Sequence, residues 1–299
     1  MLGFLRNVLV SATALALGVI PSIAFSTEGG GDNIGQGSEG FYAGLLPSPG
    51  WYGVLYANYY HATRFNGGRG NSAIPGFELN ADVLAARLFY MSRLHIAGGR
   101  VGVFAIGSVS SIGVTSHNED EHRNGVGDVT VGPTIGWDFD RLHTLVAMDV
   151  SIPVGGFNPS RSVNQGANYF SIRPIFAFTY LPQNGLEVSA KLSYTFNTRN
   201  PATNYQSGQL FHIDYSVSLP VTKKLRIGVN GYYINQTTDD YQNDRRVGDD
   251  GFRGRVIALG PAAHYQFDKV GVDLKFLREF SVKNRSEGNS VWAKVVVPF

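Results

Sequence analysis

Ionisable side chains recur along this chain at even spacing. Glu187 and Lys191 share one parity, as do His212 and Asp214, and Asp273, Lys275 and Glu279. Asp128, Asp149, Arg173, Arg226, His264 and Lys294 fall in similar settings, each on the polar phase of an alternating stretch. Residues an even number apart on a β-strand point to the same side of the sheet. These acids and bases therefore collect on one face. If that face is enclosed, two kinds of chemistry follow. The groups can pair into a web of salt bridges that stiffens the structure, or they can form a mixed-charge constriction past which small polar or weakly ionised solutes move. The two are compatible, because a network also sets the width of an opening.

Other clusters offer weaker chemistry. His117, Glu119, Asp120, Glu121 and His122 have the residue types of a metal site, but no second cluster would fix their geometry, and a solvated loop explains them better. Asp239, Asp240, Asp244, Asp249 and Asp250 lack the ligand spacing and closing glutamate of a dedicated calcium loop. Loose divalent bridging to lipopolysaccharide and a plain hydrophilic loop fit them equally. There are 0 cysteines, hence no disulfide and no thiolate ligand. No Ser, His and acid converge on one strand, which leaves an outer-membrane lipid hydrolase as a runner-up class, beside a structural or adhesion protein. A net charge of +2 without a basic run argues against a nucleic-acid partner. No motif asks for a metal or other cofactor.

The elements that must position these groups are strands. From Trp51 onward the period is two. In 186–196, Leu186, Val188, Ala190, Leu192, Tyr194 and Phe196 alternate with Glu187, Ser189, Lys191, Ser193 and Thr195. The spacing predicts about twelve strands, near 50–63, 77–92, 99–113, 126–138, 142–154, 168–181, 185–197, 207–220, 225–237, 254–267, 271–282 and 289–299. Their connections alternate between tight turns and long polar loops, at 66–76, 116–125, 155–167, 198–207, 237–253 and 284–288. Strands this long, with short turns on one side and long loops on the other, are the layout of a transmembrane barrel with periplasmic turns and extracellular loops. Charged residues make up only 16% of the chain and mean hydropathy is −0.07, as a wall apolar on one side and polar on the other requires. The expectation is an all-β fold: a single transmembrane antiparallel β-barrel.

The termini fit the same reading. Arg6, the apolar run 8–20, Pro21 and the small residues Ala24 and Ser26 read as a secretory signal peptide over 1–26. The run is too short for a membrane-spanning helix. At the other end Val291, Ala293, Val295, Val297 and Phe299 form an apolar face closed by a terminal aromatic. Phe299 is expected to serve as the signal read by the barrel-assembly machinery of the bacterial outer membrane, where lipid and lipopolysaccharide would surround the wall.

Several positions resist the pattern. Pro133, Pro174 and Pro261 fall inside expected strands on the outward phase, where each removes a ladder donor. Arg278 falls on the lipid phase, a conflict that a bulge near Leu277 would remove. The first three strands alternate poorly, so their facing is not fixed. Trp51, Tyr60, Tyr90, Trp137, Tyr169, Tyr180, Phe196, Tyr233 and Phe267 sit near strand ends and read as aromatic girdles. Residues 27–49 precede the barrel of 50–299 and carry Phe41, Tyr42, Leu45 and Leu46 among glycines. They read either as a periplasmic tail or, more favourably, as a plug whose apolar cluster would meet a hydrophobic solute.

The chain also resembles the meta-pathway phenol-degradation family, a group of channel-like outer-membrane barrels. The resemblance rests on Thr27-Glu28-Gly29-Gly30-Gly31, on Glu39-Gly40-Phe41, and on Gly44-Leu45-Leu46-Pro47-Ser48-Pro49-Gly50. It continues in Gly125-Val126-Gly127-Asp128 with Gly132-Pro133, in Ile152-Pro153-Val154-Gly155, and in Glu279-Phe280, Lys283-Asn284-Arg285 and Gly288. It implies passive movement of small aromatic or hydrophobic compounds across the outer membrane. It carries no catalytic motif.

Overall fold

The computed structural model describes Glu28, residues 34–117 and residues 119–299. The expected signal peptide lies outside the described residues. In chain order the strands are β1 (Gly50–Phe65), β2 (Glu78–Ile96), β3 (Gly99–Ser116), β4 (Glu119–Val126), β5 (Val129–Phe139), β6 (Leu142–Ile152), β7 (Ser171–Tyr180) and β8 (Glu187–Asn197). They continue as β9 (Tyr205–Gln206), β10 (Leu210–Pro220), β11 (Leu225–Gln236), β12 (Tyr241–Gln242), β13 (Arg245–Arg246), β14 (Arg255–Phe267), β15 (Val270–Lys283) and β16 (Ser286–Pro298).

Neighbouring wall strands pair antiparallel, and β1 pairs with β2 on one side and β16 on the other. That closes the sheet and leaves no free edge, the condition for strands to span a bilayer. β4 and β5 both pair with β3, at its outer and inner halves, and act as one broken strand. The wall is thus a closed antiparallel barrel of twelve strands. β9, β12 and β13 form a separate three-stranded patch in the loops. The last rung of the closing seam belongs to the final residue: the Phe299 N–H donates to the Trp51 carbonyl at 3.0 Å.

Tight turns gather at one end. Ala97 and Gly98, between β2 and β3, both have positive φ (49° and 77°), the mirror-image turn whose twist matches that of the strands it joins. The other end carries the long loops at 66–77, 153–170, 198–209 and 237–254. Two segments expected there as loops are strand instead. β3 and β4 run on as a hairpin through most of 116–125, and β16 begins at Ser286, leaving Asn284 and Arg285 as the connection. Beyond the bilayer a strand needs no apolar face, so the alternation fades while the hydrogen-bonded ladder continues. His117, Asp120, Glu121 and His122 therefore sit on or beside a hairpin, and among the described residues no group of His, Cys, Asp and Glu converges on a metal position.

The three prolines have a common solution. Each faces outward and keeps its pairing on one side, as Pro133 opposite Val103, Pro174 opposite Met148 and Pro261 opposite Val229. On the other side the ladder skips: β5–β6 pairs Val131 with Val150 and then Thr134 with Ala147. β7–β8 and β14–β15 skip in the same way. Register is identical before and after each gap, so a proline removes a rung without sliding the strands.

Arg278 needs a different correction. Leu277 points inward and is 1% exposed, while Arg278 does face outward. The bulge lies further on, at Ser281, whose φ is 56° and where the β14–β15 register shifts. Of the expected girdle residues, Tyr60 turns inward to Glu279 and Tyr169 is buried. Trp51 and Tyr90 stack on the outer surface at 4.7 Å between ring centroids.

Candidate functional site

Residues 34–49 lie inside the barrel, bound to its wall by their own backbone. The Gly37 and Glu39 N–H groups donate to the two oxygens of Asp214, at 2.9 and 3.4 Å. The Tyr42 N–H donates to Glu187 at 3.1 Å and the Gly44 N–H to Thr179 Oγ1 at 2.9 Å. Carboxylates and a hydroxyl on inward faces thus satisfy donors that a segment without secondary structure would leave unpaired. Glycine makes the fit possible. A Cβ on Gly44 would stand 2.4 Å from the backbone of Phe178, and Gly37 has a φ of 76°. Further out, Glu28 donates its N–H to Ser207 at 3.2 Å and accepts from Asn200 at 2.7 Å. The described contacts therefore reach from the outer loops to the turn end, where Arg100 donates to the Pro47 carbonyl at 2.9 Å.

One side chain of this segment reaches back across the lumen. Glu39 is buried, meets Arg87 of β2 at 2.6 Å and Lys294 of β16 at 3.5 Å, and accepts from the Tyr56 hydroxyl at 3.1 Å. Its carbonyl accepts from Lys275 at 2.7 Å. Glu39 and Arg87 were not among the expected site residues. A signal existed: Glu39 is the single charged residue in 34–49.

The ionisable residues expected on the inner face do point inward, and they divide into two groups. Glu187, His212, Asp214, Arg226 and Lys275 lie behind the lumenal segment and hold it, so they do not form an open constriction. Glu187 accepts from Ser216, Ser218, Ser189 and the Tyr42 backbone. Arg226 donates to the Gly185 carbonyl at 2.6 Å and lies over the Tyr42 ring. His212 Nε2 sits 2.9 Å from Asp214. The second group borders open space. Asp149 and Arg173 pair at 2.8 Å, Lys191 lies 3.7 Å from Asp214, and Asp273 bridges His264 at 2.6 Å and Lys294 at 2.8 Å. Glu279 accepts from Tyr60 at 2.7 Å and from Tyr232. Asp128 is taken up by structure: its two oxygens accept from the Gly155 and Ala167 N–H groups, pinning both ends of the 153–170 loop. Charges taken from water must find partners, and each of these has one.

The open space is a cavity of about 750 Å³ between the lumenal segment and the wall. Phe41, Tyr42, Leu45 and Leu46 line it from the segment's side. Opposite them stand Val54 of β1, Val83, Ala85 and Phe89 of β2, and Phe104, Ile106, Ile112 and Val114 of β3. This explains the poor alternation of the first three strands. Their outer face is apolar as well, with Leu55, Leu84, Leu88, Val103 and Val109 all exposed. The lumen is thus two-sided: charged behind the segment, and mainly apolar along β1–β3, where Asn58, Arg87, Ser108 and Ser110 are the polar exceptions. Val163, from the inward-folded 153–170 loop, closes over the outer part of the cavity.

Outside the barrel wall, Ser111 Oγ and His122 Nε2 lie 3.0 Å apart on the exposed β3–β4 hairpin. A nucleophile and base at this distance need a third group to orient the imidazole and donors for an oxyanion. None is bonded to the other ring nitrogen among the described residues.

A family model described as "Putative MetA-pathway of phenol degradation" matches residues 62–295. An outer-membrane channel from Pseudomonas putida F1 superposes with a TM-score of 0.78 at 13% identity, covering 87% of this chain and 98% of that one. The translocator domain of the autotransporter NalP from Neisseria meningitidis aligns at 0.48 with 11% identity, over 86% and 91% of the two chains. No curated protein sequence matches this chain. At these identities the structural likeness speaks for the fold alone.

Proposed function

We propose, from the premise that the chain belongs to the family described as "Putative MetA-pathway of phenol degradation", that it is an outer-membrane channel for passive uptake of small hydrophobic or aromatic compounds. The observation that carries this reading is the apolar inner face of β1–β3. Aliphatic and aromatic side chains bordering an open cavity offer a hydrophobic solute a surface to partition onto. Partition of a solute onto that face releases ordered water from both surfaces. The solute enters beneath the outer loops, moves between β1–β3 and the Phe41–Leu46 cluster, and leaves beside Pro47. Asp149–Arg173, Lys191 and Lys294 border this path and narrow it, while the group behind the segment holds the segment in place. In the same reading residues 1–26 direct export and are removed, Phe299 engages the barrel-assembly machinery, and lipid and lipopolysaccharide contact the wall and outer loops.

The test is conductance and liposome uptake with a panel of aromatic acids, fatty acids and sugars, for wild type and for Ile106→Asp with Val83→Asp. The reading expects the acids to pass faster than the sugars, and the double variant to lose that preference. Absence of permeation by every solute would sink the channel reading and leave the barrel intact. A lipid hydrolase built on Ser111 and His122 would instead show phospholipase activity in the refolded protein that Ser111→Ala abolishes.

A further inference from the structure

Among the cations that border the apolar path, Arg87 has a donor its surroundings do not use. Arg87 rises from the inner face of β2 between Val83, Ala85 and Phe89. Its guanidinium carbon lies 5.4 Å from the Tyr56 ring centroid and 5.6 Å from that of Phe104. Rings on either side hold a guanidinium flat by cation–π attraction while leaving its edge free to donate. One nitrogen, Nη2, donates to Glu39 at 2.6 Å. Nε is buried and has no hydrogen-bond partner, while a quarter of the side chain is exposed and Arg87 lines the cavity.

The charge around it is unbalanced in the same direction. The cluster joined through Glu39 contains Arg87, Lys191, Lys275 and Lys294 against Glu39, Asp214 and Asp273, four cations to three carboxylates. Among these Lys, Arg, Asp and Glu side chains one positive charge is in excess. In a confined space of low dielectric such an excess attracts an anion strongly.

Building on the apolar path, we infer that Arg87 is an anchoring subsite for a carboxylate, so that the preferred solute is an amphipathic monoanion: an aromatic or aliphatic tail against β2 and β3 with its acid head on Arg87. The head competes with Glu39 for the guanidinium. Because Lys294 and Tyr56 also hold Glu39, the plug carboxylate keeps partners while the solute occupies Arg87. Binding and loosening of the lumenal segment are thereby coupled at one side chain.

The experiment is calorimetric titration of the detergent-solubilised full-length protein with 4-phenylbutyrate and with its neutral amide. The comparison uses wild type, Arg87→Gln and Glu39→Gln, each first checked for a folded barrel by heat-modifiable gel mobility. The acid should bind wild type about tenfold more tightly than the amide, the size of one charged hydrogen bond. Arg87→Gln should erase that preference and leave the amide unchanged, and Glu39→Gln, which removes the competitor, should tighten the acid. A purely structural Arg87–Glu39 pair would weaken binding in both variants, and that outcome overturns the inference. Equal binding of acid and amide to wild type overturns the subsite but not the apolar path. Binding of neither compound overturns both.

Discussion

The backbone N–H of Gly37 donates to the buried carboxylate of Asp214 at 2.9 Å, joining residues 177 apart in the chain. The contact ties the arm that precedes the barrel to the middle of its wall. Asp214 also accepts from the Glu39 N–H and sits beside Lys191 and His212. A single carboxylate thus satisfies two donors of the arm and two bases of the wall.

Removing the arm opens the lumen. Deletion of residues 27–46 is expected to raise single-channel conductance in planar bilayers, and Asp214→Ala to give partial, fluctuating openings of smaller amplitude. Conductance unchanged by the deletion, with normal assembly, would rule out a plug.

Asp149 and Arg173 form a buried pair on β6 and β7, both side chains less than a tenth exposed. Arg173→Ala strands the carboxylate and should destabilise the barrel by about 3 kcal/mol in guanidinium unfolding from micelles. Replacing both residues by leucine should recover most of that loss. A double variant as unstable as the single one would show that the pair matters for more than its mutual charge.

Burial raises the Glu28 carboxyl above its ordinary range, outweighing the hydrogen bonds from Thr203 and Asn200 that pull it down. A group whose pKa is raised on docking contributes stability that is complete below its undocked pKa and is lost as pH rises through the docked one. The 198–209 loop should therefore exchange its amide protons more slowly at about pH 4 than at about pH 7, after correction for intrinsic rates. Glu28→Gln should flatten that dependence. Faster corrected exchange at the lower pH contradicts the assignment.

Pro261 faces outward and leaves a gap in the β14–β15 ladder. Pro261→Val restores an N–H that can donate to β15 and should stabilise the barrel by about 1 kcal/mol, the net value of one hydrogen bond. Loss of stability would mean that the gap is required by the close approach at Gly260, where a Cβ would stand 1.8 Å from the Phe276 carbonyl oxygen.

The barrel was legible in the sequence because lipid demands one apolar face and an occupied lumen a polar one. Glu187–Thr195 and His212–Ser218 show that contrast directly. The rule failed at β1–β3, where both faces are largely apolar: Leu84 and Leu88 are exposed on the outer surface while Val83 and Phe89 line the cavity. What reads as a blurred strand is the inner path. The rule also failed outside the bilayer, where the β3–β4 hairpin carries His122 and Arg123 without any apolar phase. Parity named the charged side chains of the wall but not their partners. Glu39 lies on no strand, so no periodicity could place it beside Arg87, 48 residues away.

The lumenal segment also constrains how the molecule is put together. It leads directly into β1, and β1 meets β16 at the closing seam. Several of its anchors, Glu187, Asp214, Lys275 and Lys294, come from the second half of the chain. If β1 and β16 join after the arm has settled on those anchors, the wall wraps around an occupant already in position. If they join first, the arm has to be drawn lengthwise through a lumen crowded with paired charges. The first order avoids that barrier, and it makes the arm a template on which the curvature of the later strands is set before the ring shuts.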